Sequence, residues 1–432
     1  MSATAKLSQC GECRFKSCLQ SWDCGTKKSL VMKIAQIAPL FESCPPRLYG
    51  GTERIVSYLT EELVRQGHDV TLFASGDSRT SAKLEPFCET ALRLDTRVRD
   101  PIPHHIVMLD KVRAIADEFD VLHFHLDVLH YPIIRDFAER TVTTLHGRLD
   151  LPELERLHTI FSGVPLVSVS RSQRKPMPPV SWAGMVYHGL PRDLLPFNPM
   201  PKGDYLAFLG RISPEKRPDV AIEIAARSGA KLKIAAKVDR VDQDYWEETI
   251  RPMVEAHPNV EFVGEINERE KARYLGDAAA LLFPIDWPEP FGLVMIEAMA
   301  CGTPVVAFRS GSTPEVIDEG ASGFLVDGIE EAVVAVRRLR EFDRAKAREC
   351  FERRFTIERV ADDYMNIYRN LPGLRSESPA RARRRILAKS GTHFAAVFVP
   401  AQRDSRGALC LGVRGGQDER RRAPDGGGAL SD

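Results

Sequence analysis

Residues 279–308 read Ala-Ala-Leu-Leu-Phe-Pro-Ile-Asp-Trp-Pro-Glu-Pro-Phe-Gly-Leu-Val-Met-Ile-Glu-Ala-Met-Ala-Cys-Gly-Thr-Pro-Val-Val-Ala-Phe. The stretch opens on an apolar run, 279–283, and breaks at Pro284, Pro288, Pro290 and Gly292. It continues through an apolar segment, 293–300, turns at Gly302 and Pro304, and ends in a second apolar run, 305–308. The spacing predicts a buried strand, a helix and a second buried strand. Two strands joined through a helix pair in parallel, and parallel strands covered on both faces are apolar without alternation.

Working outward, the same unit repeats. Downstream of residue 201, strands are expected at 205–209, 232–236, 260–263 and 324–326, with helices at 220–227, 245–256 and 268–275. Upstream, strands are expected at 32–38, 70–74, 121–125, 142–145, 166–169 and 185–187. Ile55, Val56, Leu59 and Leu63 fall on helical spacing within 53–66, and Gly67 stops that helix. A proline-rich stretch, 191–201, separates the two series. The sequence therefore predicts an α/β chain of two doubly wound domains, 32–195 and 196–350. Residues 351–370 read as a last amphipathic helix, and 371–432 as a basic, low-complexity tail expected to be disordered.

Composition sets the outer limits. The 432 residues carry 60 Lys+Arg and 60 Asp+Glu, with 43% hydrophobic residues. That is enough apolar material for sizeable cores. Net neutrality argues against nucleic acid as a partner. The neutrality is a sum of unlike parts, because residues 32–370 hold 43 basic against 52 acidic side chains and both ends are basic. No apolar run suffices to span a bilayer, and the start lacks a secretory pattern, so a cytoplasmic location is expected. Membrane contact would be peripheral, at the inner membrane, and carried by the basic tail. Cys10, Cys13, Cys18 and Cys24 cluster ahead of the first strand. Their spacing fits a zinc site poorly, so 1–31 is expected to be a disordered extension, and Met32 reads like the natural start of the first strand.

Ligand sites in doubly wound domains lie beyond the carboxyl ends of the strands. After the strand ending at Leu209 come Gly210, Arg211 and Lys216. The glycine permits a tight turn, and the two cations suit phosphate oxygens, although a solvated surface loop also accounts for them. After the strand ending at Phe283, Gly292 stands at a helix start, where backbone N–H groups favour an anion. Glu289 precedes that helix and Glu297 lies inside it. They cannot form one paired-carboxylate site but can reach different parts of an extended ligand. Helix capping by Glu289 and solvent exposure of Glu297 are the plainer alternative. His123 and His125 share one face of a strand end, with Asp127 and His130 nearby. A metal site there is less expected than polar groups lining a strand end. His146, Ser170 with Arg171, and His188 follow later strands. They either face the cleft or, for Ser170, cap a helix.

These motifs carry a resemblance. Glu289 and Glu297 with Pro-Phe-Gly-Leu between them, the following Glu-Ala-Met-Ala-Cys-Gly-Thr-Pro-Val-Val-Ala, Arg211 and Lys216 after Gly210, and Gly50-Gly51 resemble the retaining glycosyltransferases of family 4 (glycosyl transferases group 1). The likeness covers roughly residues 32–370. It implies the GT-B fold, with two Rossmann-like domains facing a cleft and the last helix crossing back to the first. It implies that Arg211 and Lys216 bind the donor diphosphate, that Glu297 holds the nucleotide ribose, and that Glu289 contacts the transferred sugar. Phe291, Gly292 and Leu293 would lie beside the donor, Gly51 would approach its phosphates, and His125 would lie close to the reacting sugar. His188 stands where many relatives have Pro-Asn-Gly.

The expected activity is transfer of a sugar from a nucleoside-diphosphate-sugar substrate to an acceptor hydroxyl, with retention, without metal and without a further cofactor. The acceptor could be a glycan, a lipid-linked saccharide or a small molecule. Rivals are another GT-B enzyme, such as an epimerase or disaccharide synthase, and a non-catalytic sugar-nucleotide module. A nicotinamide-dependent dehydrogenase would need Gly-x-Gly-x-x-Gly, which the chain lacks.

Overall fold

The computed structural model describes residues 31–47 and 50–375. The expectations for Cys10, Cys13, Cys18 and Cys24 and for the chain beyond residue 375 lie outside the described residues. Two parallel sheets organise the rest. The first contains β1 (Lys33–Ile37), β2 (Asp69–Ala74), β3 (Lys83–Pro86), β4 (Val121–Phe124), β5 (Thr141–Thr144), β6 (Leu166–Ser168) and β7 (Trp182–Met185), in the order β3-β2-β1-β4-β5-β6-β7. The second contains β8 (Tyr205–Arg211), β9 (Lys231–Lys237), β10 (Val260–Gly264), β11 (Ala280–Phe283), β12 (Val305–Phe308) and β13 (Gly323–Val326), in the order β10-β9-β8-β11-β12-β13. In each sheet the winding reverses between two central neighbours, β1/β4 and β8/β11, and these reversals open a crevice at the strands' carboxyl ends.

Helices cover both faces of each sheet. One face of the second sheet packs on Val220, Ile222 and Ile224, the other on Met295, Ile296 and Met299. The first sheet is closed on one face by Met108, Leu109 and Val112 of the Ile102–Ala114 helix. Its other face is closed partly from far along the chain, by Val360, Tyr364, Met365 and Tyr368. Among the described residues no helix is long and apolar enough to cross a membrane.

The structure departs from the sequence expectation in several places; helices Ile102–Ala114, Pro152–Ile160 and Ile329–Arg338 were not expected. β3 was not expected, because Lys-Leu-Glu-Pro is a half-exposed edge strand without an apolar run. β7 lies three residues earlier than expected at its start; Gly184 interrupts its apolar residues and leaves room there for the Ile367 side chain. The expected last helix, 351–370, is two helices, Arg344–Arg354 and Ile357–Arg369. Thr356 between them is extended. The Leu190 N–H donates to the Phe355 carbonyl at 2.9 Å, and the Ile357 N–H donates to the Leu190 carbonyl at 2.9 Å. A continuous helix would forfeit these two bonds, which join the interdomain segment to the returning chain.

The segment between the domains is held from the Arg344–Arg354 helix. The Arg344 guanidinium donates to the carbonyls of Asn198 and Gly276 (both 2.8 Å) and Ala278 (2.9 Å), and to Thr303 Oγ1 (2.8 Å). Arg348 donates to the carbonyls of Leu195 (3.0 Å) and Ala300 (2.7 Å).

Two expected outcomes follow from this packing. A Cβ at Gly189 would lie 2.8 Å from both the Phe355 and Thr356 carbonyl oxygens. Gly189→Ala should therefore cost about 1–3 kcal/mol in urea unfolding, since two of the three obstructing atoms are backbone and the third is the buried Val360 methyl. The second concerns Glu53, buried in the first turn of the Gly51–Arg65 helix. Burial pushes its carboxyl from an ordinary 4.5 to about 7. Between those pH values the folded chain binds more protons than the unfolded one, so this group's contribution falls as pH rises and stays low above 7. Glu53→Gln should gain about 3 kcal/mol over wild type between pH 4.5 and pH 8. A pH-independent difference between the two proteins would contradict that assignment.

Candidate active site

The two crevices face each other across a cavity of about 690 Å³. Loops after β1, β4 and β5 form one wall, and loops after β8 and β11 form the other. Gly51, His125, His146, His188, Arg211, Lys216, Glu289, Phe291, Gly292, Leu293 and Glu297 all line it. Ser170 does not. It is fully buried, and its Oγ accepts the Gln173 N–H at 3.0 Å, which is the capping alternative. The neighbouring backbone N–H groups of Arg171 and Ser172 donate to Glu315 of the second domain at 2.8 and 2.7 Å.

β8 delivers Arg211 at its carboxyl end. The chain then turns through Pro214–Lys216 and through Arg217, a non-glycine residue in the left-handed region at φ 54°. This turn brings Lys216 back over the crevice. Its Nζ hydrogen-bonds the Glu289 carboxylate and lies 4.9 Å from the centre of the Trp287 ring. Arg211 bonds Glu215 at 3.0 Å and lies 3.7 Å from Asp239. Across the crevice Gly292 has φ 80°, and a Cβ there would meet the Met295 and Phe283 side chains at 2.8 and 3.0 Å. Only glycine takes this turn without strain, and it starts the Leu293–Ala300 helix with backbone N–H groups toward the crevice.

Glu297 is not the exposed residue of the plainer alternative. It is 4% exposed, and its Oε1 accepts from Lys271 Nζ at 2.7 Å. Lys271, in the Glu268–Gly276 helix, also lies 3.5 Å from Glu268. Glu268 in turn pairs with Arg54 of the first domain. Burial pulls the Lys271 ammonium below its usual range, and the Glu297 charge opposes that shift.

The first-domain wall holds a chain of histidines. His123 and His125 do share one face, with ring centres 4.0 Å apart. Gln36 Nε2 donates to the Tyr368 hydroxyl at 3.3 Å, which orients the amide so that its Oε1 accepts from His125 Nε2 at 2.8 Å. His125 Nδ1 is then an acceptor, and His146 Nε2 donates to it at 2.9 Å. The Tyr368 hydroxyl and Thr144 Oγ1 occupy the two nitrogens of His123, both at 2.7 Å. His188 stacks on His146 at 5.1 Å and meets Phe291 of the second domain edge-on at 5.0 Å. Burial pulls His123, His125 and His188 well below the usual histidine range and His146 to about 3, so the cluster is neutral at neutral pH. His130 lies against the opposite face of β4, stacked on Phe124 and bonded to Thr143. Asp127, in the left-handed region at φ 48°, lines the cavity. Among the described residues no three His, Cys, Asp or Glu side chains converge to hold a metal ion.

Sequence reasoning missed Lys271, Glu268 and Arg54, which join this site through contacts distant in the chain. It also missed Gln36 and Tyr368. A glutamine interrupting the apolar run of β1 was the available signal for Gln36. Trp287, beside Lys216, carried no pattern beyond its place after β11.

The chain matches known proteins across both domains. Residues 196–350 match the family model described as glycosyl transferases group 1, and residues 49–182 match glycosyltransferase family 4. N-acetyl-alpha-D-glucosaminyl L-malate synthase of Bacillus anthracis is 24% identical over 379 residues, covering 76% of this chain and 95% of that protein. D-inositol 3-phosphate glycosyltransferase of Mycobacterium tuberculosis strain F11 is 30% identical over 252 residues, covering 55% of this chain and 48% of that protein. Among solved structures, sucrose-phosphate synthase from Thermosynechococcus elongatus superposes with a TM-score of 0.65 at 18% identity, over 79% of this chain and 99% of that one. Anabaena HepE in complex with UDP-glucose superposes with a TM-score of 0.60 at 18% identity, over 78% of this chain and 98% of that one. The sheet orders, the facing crevices and these likenesses agree on a GT-B fold, and the chain belongs to the group 1, family 4 glycosyltransferases.

Proposed function

We propose that the cavity binds a nucleoside-diphosphate sugar and transfers the sugar to an acceptor hydroxyl with retention of anomeric configuration and without a metal ion. One observation supports this above the others: Arg211 and Lys216 from the end of β8 and the glycine-started helix after β11 converge on one crevice, with Glu289 beside Lys216. A departing diphosphate develops negative charge at this place. Two fixed cations and a helix N-terminus stabilise it there without reorganising, the role a divalent cation would otherwise fill.

Glu297 takes the ribose at the inner end of the cavity. Glu289 accepts hydrogen bonds from hydroxyls of the transferred sugar while it positions Lys216. The leaving diphosphate accepts the acceptor's proton through a phosphate oxygen, so no separate general base is needed. The acceptor enters over the first-domain wall, between Gly51 and His125. Facing domains exclude water and limit donor hydrolysis. That Anabaena HepE was solved with UDP-glucose is in keeping with a nucleotide-sugar donor.

In a thermal-shift screen, one of the UDP-, GDP- and ADP-sugars should raise the melting temperature, because binding at a hundredfold excess over Kd stabilises the fold by about 2.7 kcal/mol. With that donor, Lys216→Ala should lower kcat about a hundredfold or more, and Glu289→Gln roughly tenfold or more. Product NMR should show the donor's anomeric configuration, and EDTA should leave the rate unchanged. Turnover near wild type in both variants would overturn the assignment.

A further inference from the structure

Lys271 is a buried cation with no place in the family motifs quoted above, and its setting is rigid. Asn267 starts its helix with a reciprocal cap: Asn267 Oδ1 accepts the Arg269 and Glu270 N–H groups, at 3.0 and 3.2 Å, and Glu270 Oε2 accepts the Asn267 N–H at 2.9 Å. This cap fixes where the helix begins. Glu268 and Lys271, three residues apart, therefore point the same way, and both line the cavity.

Charges alternate from the first domain into the depth of the second. Arg54 pairs with Glu268, Glu268 lies 3.5 Å from Lys271, and Lys271 bonds Glu297 Oε1 at 2.7 Å. Lys271 and Glu297 are only 8% and 4% exposed. A carboxylate at that depth needs a partner, and a single-point contact from an ammonium occupies one of its two oxygens. The surrounding helix faces are apolar, with Ile296, Ala298 and Met299 buried, so the Glu297 carboxylate has little freedom once Lys271 holds it.

We propose that Lys271 is a positioning and specificity-determining residue. By fixing Oε1 of Glu297 it aims the second carboxylate oxygen at the vicinal hydroxyls of the donor's ribose, so that preference for ribo- over 2′-deoxyribonucleotides depends on Lys271. This rests on the proposed function, in which a nucleoside diphosphate lies in the cavity with its ribose at Glu297. Arg54 and Glu268 brace the far side of Lys271, and because Arg54 belongs to the first domain, the bracing spans the cleft.

The experiment measures calorimetric affinities of UDP, GDP and ADP, each against its 2′-deoxy counterpart. The proteins are wild type, K271M, K271Q, E297Q, the K271M/E297Q double variant and K216A, with folding followed by circular dichroism. K271Q keeps a neutral donor in the buried site and guards against loss of fold. Wild type should bind one ribonucleotide at least tenfold more tightly than its deoxy form. That ratio should fall below threefold in K271M and K271Q. The double variant should be no less selective than E297Q, since Lys271 acts through Glu297. K216A should weaken both forms alike and leave the ratio standing. A folded Lys271 variant that keeps the wild-type ratio overturns this inference and leaves the proposed function intact. A wild-type ratio near one also overturns it. If none of the three nucleotides binds wild type, the proposed function fails and the inference with it.

Discussion

The Ile357–Arg369 helix belongs to the first domain in space and follows the second in sequence. It buries Val360, Ala361, Tyr364, Met365 and Tyr368 against Ile34, Leu59, Val121 and Val142. Without that layer one face of β1, β4 and β5 would expose apolar side chains to water, a loss of roughly 1.5–3 kcal/mol for each large side chain uncovered. The same layer sends the Tyr368 hydroxyl into the sheet, where it sets Gln36, and through Gln36 the ring of His125. One packing surface thus completes a core, ties the two domains by a second crossing and orients the first-domain side of the cavity. The extended residue at Thr356 makes the return sharp enough to bond Leu190 on the outward crossing.

Much of this architecture could be read in the sequence for a physical reason. Strands covered on both faces cannot alternate, so β11 and β12 appear as short unbroken apolar runs, while β4 and β5 are fully buried with His123 and three threonines among their residues. Prolines and glycines separate them from helices of 3.6-residue period. Elements on which burial imposes no pattern leave no such trace in the sequence. β3 is a polar edge. The Ile102–Ala114 helix buries Met108, Leu109 and Val112 while leaving Ile102, Ile106 and Val107 exposed, so it shows no single apolar stripe. The division at Thr356 depends on bonds to Leu190, which no local window contains.

The same contrast holds in the site. Arg211, Lys216, Glu289 and Gly292 could be singled out because sheet topology sends every strand end of one crevice to one place. Glu297 could be noticed as a charge inside an apolar helix, but what it touches could not. Its partner Lys271 comes from a helix that otherwise looks like an ordinary charged surface segment. Ser170 marks the limit in the other direction, since a strand-end serine serves a cap as readily as a cleft.

Electrostatics explains why so few cations suffice. Residues 32–370 carry an acidic excess, and the cavity's cations are each set against a carboxylate: Lys216 against Glu289, Arg211 against Glu215, Lys271 against Glu297, Arg54 against Glu268, Arg93 against Glu42 and Lys237 against Asp239. A cluster of bare cations at this depth would repel itself and be costly to desolvate. Pairing removes that cost while keeping donors in place, because an ammonium has three N–H groups and a guanidinium five, and a carboxylate occupies one or two of them. An acidic body repels polyanions at distances of a Debye length, about 8 Å at physiological salt, beyond which the field is largely screened. Inside that range the fixed donors at the end of β8 and the start of the Leu293–Ala300 helix dominate. On the proposed function, selectivity for a nucleoside diphosphate over an extended polyanion follows from the difference between a short-range array of donors and a long-range field of opposite sign.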